Sequence, residues 1–119
     1  MPTKTLAVQE LINRSISEEE LQNQIIQAAY VNGWIIHAER PAWSTKGYRT
    51  PIQGDAGFHD LVLCHPGQKR VIFAELKREN GKTTLAQEGW LVALAKCGQE
   101  VYLLRPSDLD TFLKKLEAR

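Results

Sequence analysis

Val71-Ile72-Phe73-Ala74-Glu75-Leu76-Lys77, running into the polar Arg78-Glu79-Asn80-Gly81-Lys82, decides how the rest of the chain is read. Val71 to Ala74 is apolar and partly β-branched or aromatic, the composition of a buried strand. Side chains alternate faces along a strand, so Glu75 and Lys77 share the face of Val71 and Phe73, while Ile72, Ala74 and Leu76 take the other. Two residues along a strand span roughly 6.5–7 Å. A carboxylate and an ammonium therefore lie side by side where a core strand ends. Burying charge is costly unless it is paired or binds a metal. The pair is either a structural ion pair at the strand's exit or part of a site.

Gly57-Phe58-His59-Asp60-Leu61-Val62-Leu63-Cys64 sets Asp60 at the entry of a second apolar strand. His65-Pro66-Gly67-Gln68 is a turn signal, and Arg70 opens the strand already described. The two strands form an antiparallel hairpin. With Cys64 opposite Val71, Asp60 comes opposite Glu75. Facing carboxylates repel across strands, and a hard cation between them reverses the sign. Mg²⁺ is typically held by one or two carboxylates plus waters, so Asp60, Glu75 and Lys77 form a candidate metal site with a lysine beside it.

Asp60, a hairpin, then Glu75-x-Lys77 resembles the PD-(D/E)XK nuclease superfamily. Gly57-Phe58-x-Asp60-Leu61, Ala74-Glu75-Leu76-Lys77, Gly81-Lys82, Gln87-x-x-Trp90-Leu91 and Arg105-Pro106-x-Asp108-Leu109 together resemble its VRR-NUC branch. The triplet alone is a weak signal and the ordered set of blocks is a strong one. The resemblance implies a restriction-endonuclease-like αβββαβ core: an α/β domain with a mixed four-stranded sheet flanked by helices, plus a closing C-terminal helix. It implies a metal-dependent nuclease with Mg²⁺ or Mn²⁺ held by Asp60, Glu75, the Leu76 carbonyl and Glu18, and with Lys77 and Gln87 at the reacting centre. One departure stands out. The residue before the aspartate is usually proline in the resembled family, and here it is His59. His59 is either a tolerated substitution or a further contact to the metal, a phosphate or the leaving group.

The 119 residues suit one domain with one core. Net charge is +1, so nucleic-acid binding has to rest on local patches rather than on a global basic field. Cys64 and Cys97 sit in apolar stretches and read as buried free thiols, which suits a reducing cytoplasm; the resemblance implies that of a bacterial or phage-infected cell. No signal peptide, membrane span or repeat is apparent. Residues 1–15 read as an N-terminal extension with a short helix carrying Leu6, Val8, Leu11 and Ile12; residues 16–119 read as the VRR-NUC-like domain.

Ser17 with Glu20 fits a capping box, and Ile16 with Leu21 a hydrophobic staple. Leu21, Ile25, Ala28 and Ala29 form one apolar helix face, ending near Asn32-Gly33. Glu18 edges that face; it serves either the helix dipole or, as the resemblance implies, the metal. Trp34 to Ala38 is the first strand, with His37 structural. Arg40 to Ala56 lacks periodicity and carries Arg40, Trp43, Lys46, Tyr48 and Arg49, cations and aromatics that suit a phosphate backbone and unstacked bases. It is either a binding loop or a solvated one. Asp55 is a possible further acid. Arg78 and Lys82 add cations beyond the Glu-Lys strand.

Thr84 with Gln87 is a second capping box, opening a helix Leu85–Lys96 whose Leu85, Trp90, Leu91, Leu94 and Ala95 are expected to pack on the sheet. Glu100–Arg105 is the fourth strand, expected to pair in parallel after a helical crossover. Ser107 and Asp110 are expected to start the closing helix. No base-reading motif is present, so direct sequence readout is not expected. In the resembled family small stand-alone members act as dimers on branched DNA, which implies a homodimer and structure-selective cutting of four-way junctions or flaps. The competing class is a catalytically inactive nuclease-fold module that binds DNA; a weaker third is a protein-interaction subunit.

Overall fold

Ser17 explains where the first core helix begins. Its hydroxyl accepts the Glu20 N–H at 3.1 Å and the Glu20 carboxylate accepts the Ser17 N–H at 3.2 Å, a closed capping box. In the computed structural model, which describes residues 4–39 and 53–117, this helix follows a first one. The order is α1 (Lys4–Ser15), α2 (Glu18–Val31), β1 (Ile35–Ala38), β2 (Leu61–His65), β3 (Arg70–Leu76), α3 (Leu85–Lys96), β4 (Glu100–Leu104) and α4 (Leu109–Glu117). Short 3₁₀ turns at Pro66–Gln68 and Pro106–Asp108 precede β3 and α4.

The sheet runs β1-β2-β3-β4, with the first two pairings antiparallel and the last parallel. Cys64 lies opposite Val71 and Leu61 opposite Ala74, the expected hairpin register. Asp60, one step beyond the paired residues, thereby comes to the level of Glu75. One face of the sheet presents Leu61, Leu63, Ile72, Ala74 and Leu76 to Leu21, Ile25 and Ala29 of α2 and to Phe112 and Leu116 of α4, all buried. Fully burying such an aliphatic or phenyl side chain contributes about 1.5–3 kcal/mol, so this layer supplies most of the drive to fold.

At the end of the sheet away from Glu75, Arg70 ties three elements together. Its guanidinium grips both carboxylate oxygens of Glu100 at 3.0 and 2.6 Å, donates to the Lys115 carbonyl at 2.8 Å, and stacks 5.1 Å from the Trp34 ring. A bidentate arginine holds β3 and β4 in register more tightly than a lysine can.

Three expectations fail. Helix α3 contains no buried residue; Leu85 is 86% and Val92 53% exposed, and Ala95 is exposed too. The helix packs beside β4 with Trp90, Leu91 and Leu94 half-buried, while Leu85 and Ala95 face outward, so an apolar composition did not translate into full burial. Cys97, the C-cap of that helix, is exposed, and Cys64 is only half-buried. Before α4, Asp108 rather than the Ser107 side chain does the capping. Its carboxylate accepts the Arg105 N–H at 2.8 Å, while the Ser107 N–H donates to Glu79. Arg40, Trp43, Lys46, Tyr48 and Arg49 lie outside the described residues. No described helix is long and apolar enough to cross a membrane.

Candidate active site

Strand β3 delivers Glu75 into the protein rather than out of it: the side chain is 1% exposed. A buried carboxylate must find partners or give up its charge. Gln87 supplies one partner, its Nε2 donating to Glu75 Oε2 at 3.1 Å. The same glutamine closes the α3 capping box: its Oε1 accepts the Thr84 N–H at 2.9 Å, and its own N–H donates to Thr84 Oγ1 at 3.1 Å. One side chain thus closes the cap and meets Glu75. The cap orients the amide so that its NH₂ faces the carboxylate.

Asp60 reaches the same place from the other strand of the hairpin. Its Oδ2 accepts the Leu76 N–H at 2.9 Å, and its carbonyl accepts the Glu39 N–H at 3.1 Å, which fixes the entry of β2 to the exit of β1. The closeness of the two carboxylates shows in their electrostatics. Burial first, then a hydrogen bond with Asp60 and the Asp60 charge, push the Glu75 carboxyl from its ordinary 4.5 up to about 8. The Lys77 ammonium opposes this rise, and Glu18 adds to it. Lys77 is therefore beside the pair, its backbone N–H anchored on the Leu104 carbonyl at 3.0 Å. Glu18, exposed in the first turn of α2, is within electrostatic reach.

The donor set suits a hard cation. Glu75 Oε1 is buried with no hydrogen-bond partner, and a neighbouring carboxylate is already being paid for in proton affinity. Two carboxylates at a strand end match the sparse protein ligation that Mg²⁺ accepts. Among the described residues no three His, Cys, Asp or Glu side chains converge closely enough to hold an ion. Glu18 stands in this arrangement as a neighbour in charge.

The turn beyond Lys77 is firmly seated. Arg78 donates to the Arg14 carbonyl at 3.2 Å, and Arg105 to the Gly81 carbonyl at 2.9 Å. Arg78 and Lys82 are both exposed. Arg40, Lys46 and Arg49, the other expected DNA contacts, fall outside the described residues. Asp55 is exposed, and its carbonyl receives the Trp90 indole N–H at 3.2 Å.

Two features escaped the sequence reading. Phe58 meets Trp90 edge-on at 4.9 Å and Phe73 at 6.1 Å, clamping the segment before Asp60 between α3 and the sheet. The blocks containing Phe58 and Trp90 are far apart in sequence, and only the fold joins them. The second is the setting of His59, already singled out for standing in the place of a proline: it is 1% exposed, with Nδ1 3.9 Å from Glu75 Oε1. Burial lowers the affinity of its ring for a proton, partly offset by Asp60.

Gly57 makes the clamp possible. Its φ is +97°, and a Cβ there would come within 2.5 Å of the Ala86 backbone. Gly57→Ala is expected to cost about 1–3 kcal/mol from backbone strain alone, and to separate α3 from the Asp60 segment. A thermal melt of the variant checks this; an unchanged midpoint would refute the close approach.

A family model for the VRR-NUC domain matches residues 4–108. A solved structure described as a VRR-NUC domain superposes with a TM-score of 0.61 at 20% identity, over 82% of this chain and 94% of that one; a likeness at that identity speaks for the fold. No curated protein matches the chain. With the matched residues spanning α1 to the turn before α4, the chain belongs to the VRR-NUC family of nuclease domains.

Proposed function

We propose that this nuclease domain is a Mg²⁺- or Mn²⁺-dependent DNA endonuclease that hydrolyses phosphodiester bonds, selecting its substrate by shape. The observation that carries the reading is the buried Glu75 carboxylate, crowded by Asp60, with one oxygen left unpartnered and Lys77 alongside. Asp60 and Glu75 would hold the cation, with the Leu76 carbonyl and Glu18 completing its surroundings. When bound, the ion supplies Lewis-acid polarisation of a phosphate oxygen and a lowered pKa for water. Gln87 keeps the Glu75 carboxylate from rotating. Lys77 orients the attacking water and counters the charge that develops on the phosphate. Arg40, Lys46, Arg49, Arg78 and Lys82 would meet the DNA backbone, contacts that position a substrate without reading its sequence.

Branched DNA, such as a four-way junction or a flap, is the proposed substrate class, and a homodimer the proposed assembly. A two-fold dimer offers two active sites to two strands of a junction. The absence of a base-reading element among the described residues supports recognition by shape. The proposed setting is the cytoplasm.

The test is cleavage of end-labelled single strand, duplex, flap, splayed arm and four-way junction in Mg²⁺, Mn²⁺ or EDTA. Sedimentation at the working concentration runs alongside. Metal-dependent cutting that favours a branched substrate, by a dimer, is expected. DNA binding without cutting in any metal would replace the proposal with an inactive DNA-binding module, and junction cutting by a strict monomer would remove the dimer.

A further inference from the structure

Among the described residues, three buried polar side-chain atoms have no hydrogen-bond partner: His59 Nδ1, His59 Nε2 and Glu75 Oε1. Two of them face each other, Nδ1 to Oε1, across 3.9 Å. That gap exceeds the 2.7–3.2 Å of an N–H···O hydrogen bond by less than about 1.2 Å. The ring cannot easily turn elsewhere. Phe58 stacks on it with centroids 5.6 Å apart and planes inclined by 19°, and Phe73 meets it edge-on at 6.2 Å. A phenyl or leucyl side chain would fill an aromatic slot of this kind without stranding two nitrogens away from water. The imidazole is thus an expensive filler unless one of its nitrogens acts.

We propose that His59 is a positioning residue for metal capture: its Nδ1–H closes onto Glu75 Oε1 when the carboxylate takes up a divalent cation. The inference rests on the reading of Asp60 and Glu75 as the metal-holding pair. Gln87 already holds Glu75 Oε2 at 3.1 Å. A second donor on Oε1 secures the carboxylate from both sides and fixes which lone pairs turn toward Asp60. A hydrogen bond to a carboxylate is among the stronger kinds a neutral donor makes, and the 3.9 Å gap leaves little movement for it to form. Partners of this type orient the ligand and raise the site's affinity without touching the ion. Direct ligation by His59 is a poorer account, because no three ligating side chains converge among the described residues. The donor role needs only the tautomer with a proton on Nδ1, the nitrogen that faces Glu75 Oε1.

The experiment is Mn²⁺ titration calorimetry of the full chain at one fixed pH, comparing wild type with His59→Phe, His59→Asn and His59→Gln. The amide nitrogen of asparagine occupies roughly the place of Nδ1, and that of glutamine roughly the place of Nε2. His59→Phe and His59→Gln are expected to weaken Mn²⁺ binding by about tenfold or more, with His59→Asn within about threefold of wild type. Equal affinity in His59→Phe and wild type would overturn the proposal. So would equal weakening in Asn and Gln variants, since a purely structural role does not distinguish the two donor positions; that comparison decides even if His59→Phe fails to fold. No Mn²⁺ binding by wild type would overturn the metal-site reading itself, a result separate from any behaviour of the variants.

Discussion

Lys77→Ala is expected to lower DNA cleavage by about 10²–10⁴-fold, the range for removing a positioned proton-handling group, and to leave Mn²⁺ binding in place. The reason lies in what the substitution spares. Lys77 is anchored through its backbone N–H on the Leu104 carbonyl, and alanine keeps that bond. The ammonium's contribution is to the charge around Glu75, and its removal takes away a like charge from beside an incoming cation. Asp60→Asn behaves differently. An asparagine side-chain oxygen can still accept the Leu76 N–H that Asp60 Oδ2 now accepts at 2.9 Å, so the hairpin stays closed. Half of the anionic donor set is gone, however, and both Mn²⁺ binding and cleavage should fall. Calorimetry and end-labelled cleavage on the same preparations separate the two effects. Cleavage at the wild-type rate in both variants would sink the assignment of the centre. Loss of Mn²⁺ binding in Lys77→Ala would mean that the lysine supports the cation's site and not the reaction.

The hairpin and its chemistry were legible because they depend on short-range pattern. Alternation along Val71–Lys77 and a turn signal at His65–Gln68 indicate the hairpin, and the structure has the register that puts Cys64 opposite Val71. The register in turn sets Asp60 against Glu75. The two capping boxes were legible for the same reason, since each spans four residues. What escaped depends on where elements stack. Helix α3 is rich in leucine, alanine and valine, yet it packs beside β4 with Leu85 and Val92 in the open. Periodicity says that a helix has an apolar surface and not whether anything covers it. Gln87 carried two readings, cap or site. Only the approach of α3 to β3 shows that one amide group serves both through its two ends. His59 stood out as a departure from the expected proline, but its burial and its facing of Glu75 required the Phe58 and Phe73 rings to be in place.

In EDTA the protein should lose stability as pH rises toward 8, with Glu75 as the cause. In the unfolded chain this carboxyl releases its proton near the ordinary 4.5; in the folded protein it holds on until about 8. Between those values the folded state binds the extra proton, so unfolding releases one, and stability falls with rising pH by at most about 1.4 kcal/mol per unit. His59 acts in the other direction over part of that span. Its proton affinity is lowered in the folded state, so below its ordinary 6.5 the unfolded chain binds more protons and stability rises with pH. The Glu100 carboxyl, held below its ordinary value chiefly by Arg70, contributes stability that is lost only at more acid pH. The useful window is therefore about pH 6.5 to 8, where the His59 contribution fades and Glu75 sets most of the slope among these three. In a domain of this size about 1 kcal/mol shifts the melting temperature on the order of 4 °C, so the slope is readable by thermal denaturation. Glu75→Gln removes the titration while leaving an oxygen for Gln87 Nε2 to meet. Its melting curve should be flatter across the window, and at pH 8 in EDTA the variant should outlast the wild type. Mn²⁺ should reverse that ranking, because it neutralises the crowded carboxylates of the wild type and finds only Asp60 in the variant. A wild-type midpoint that stays level from pH 6.5 to 8 in EDTA, or an equal slope in Glu75→Gln, would show that the buried Glu75 carboxylate beside Asp60 does not carry the strain that makes the pair receptive to a cation.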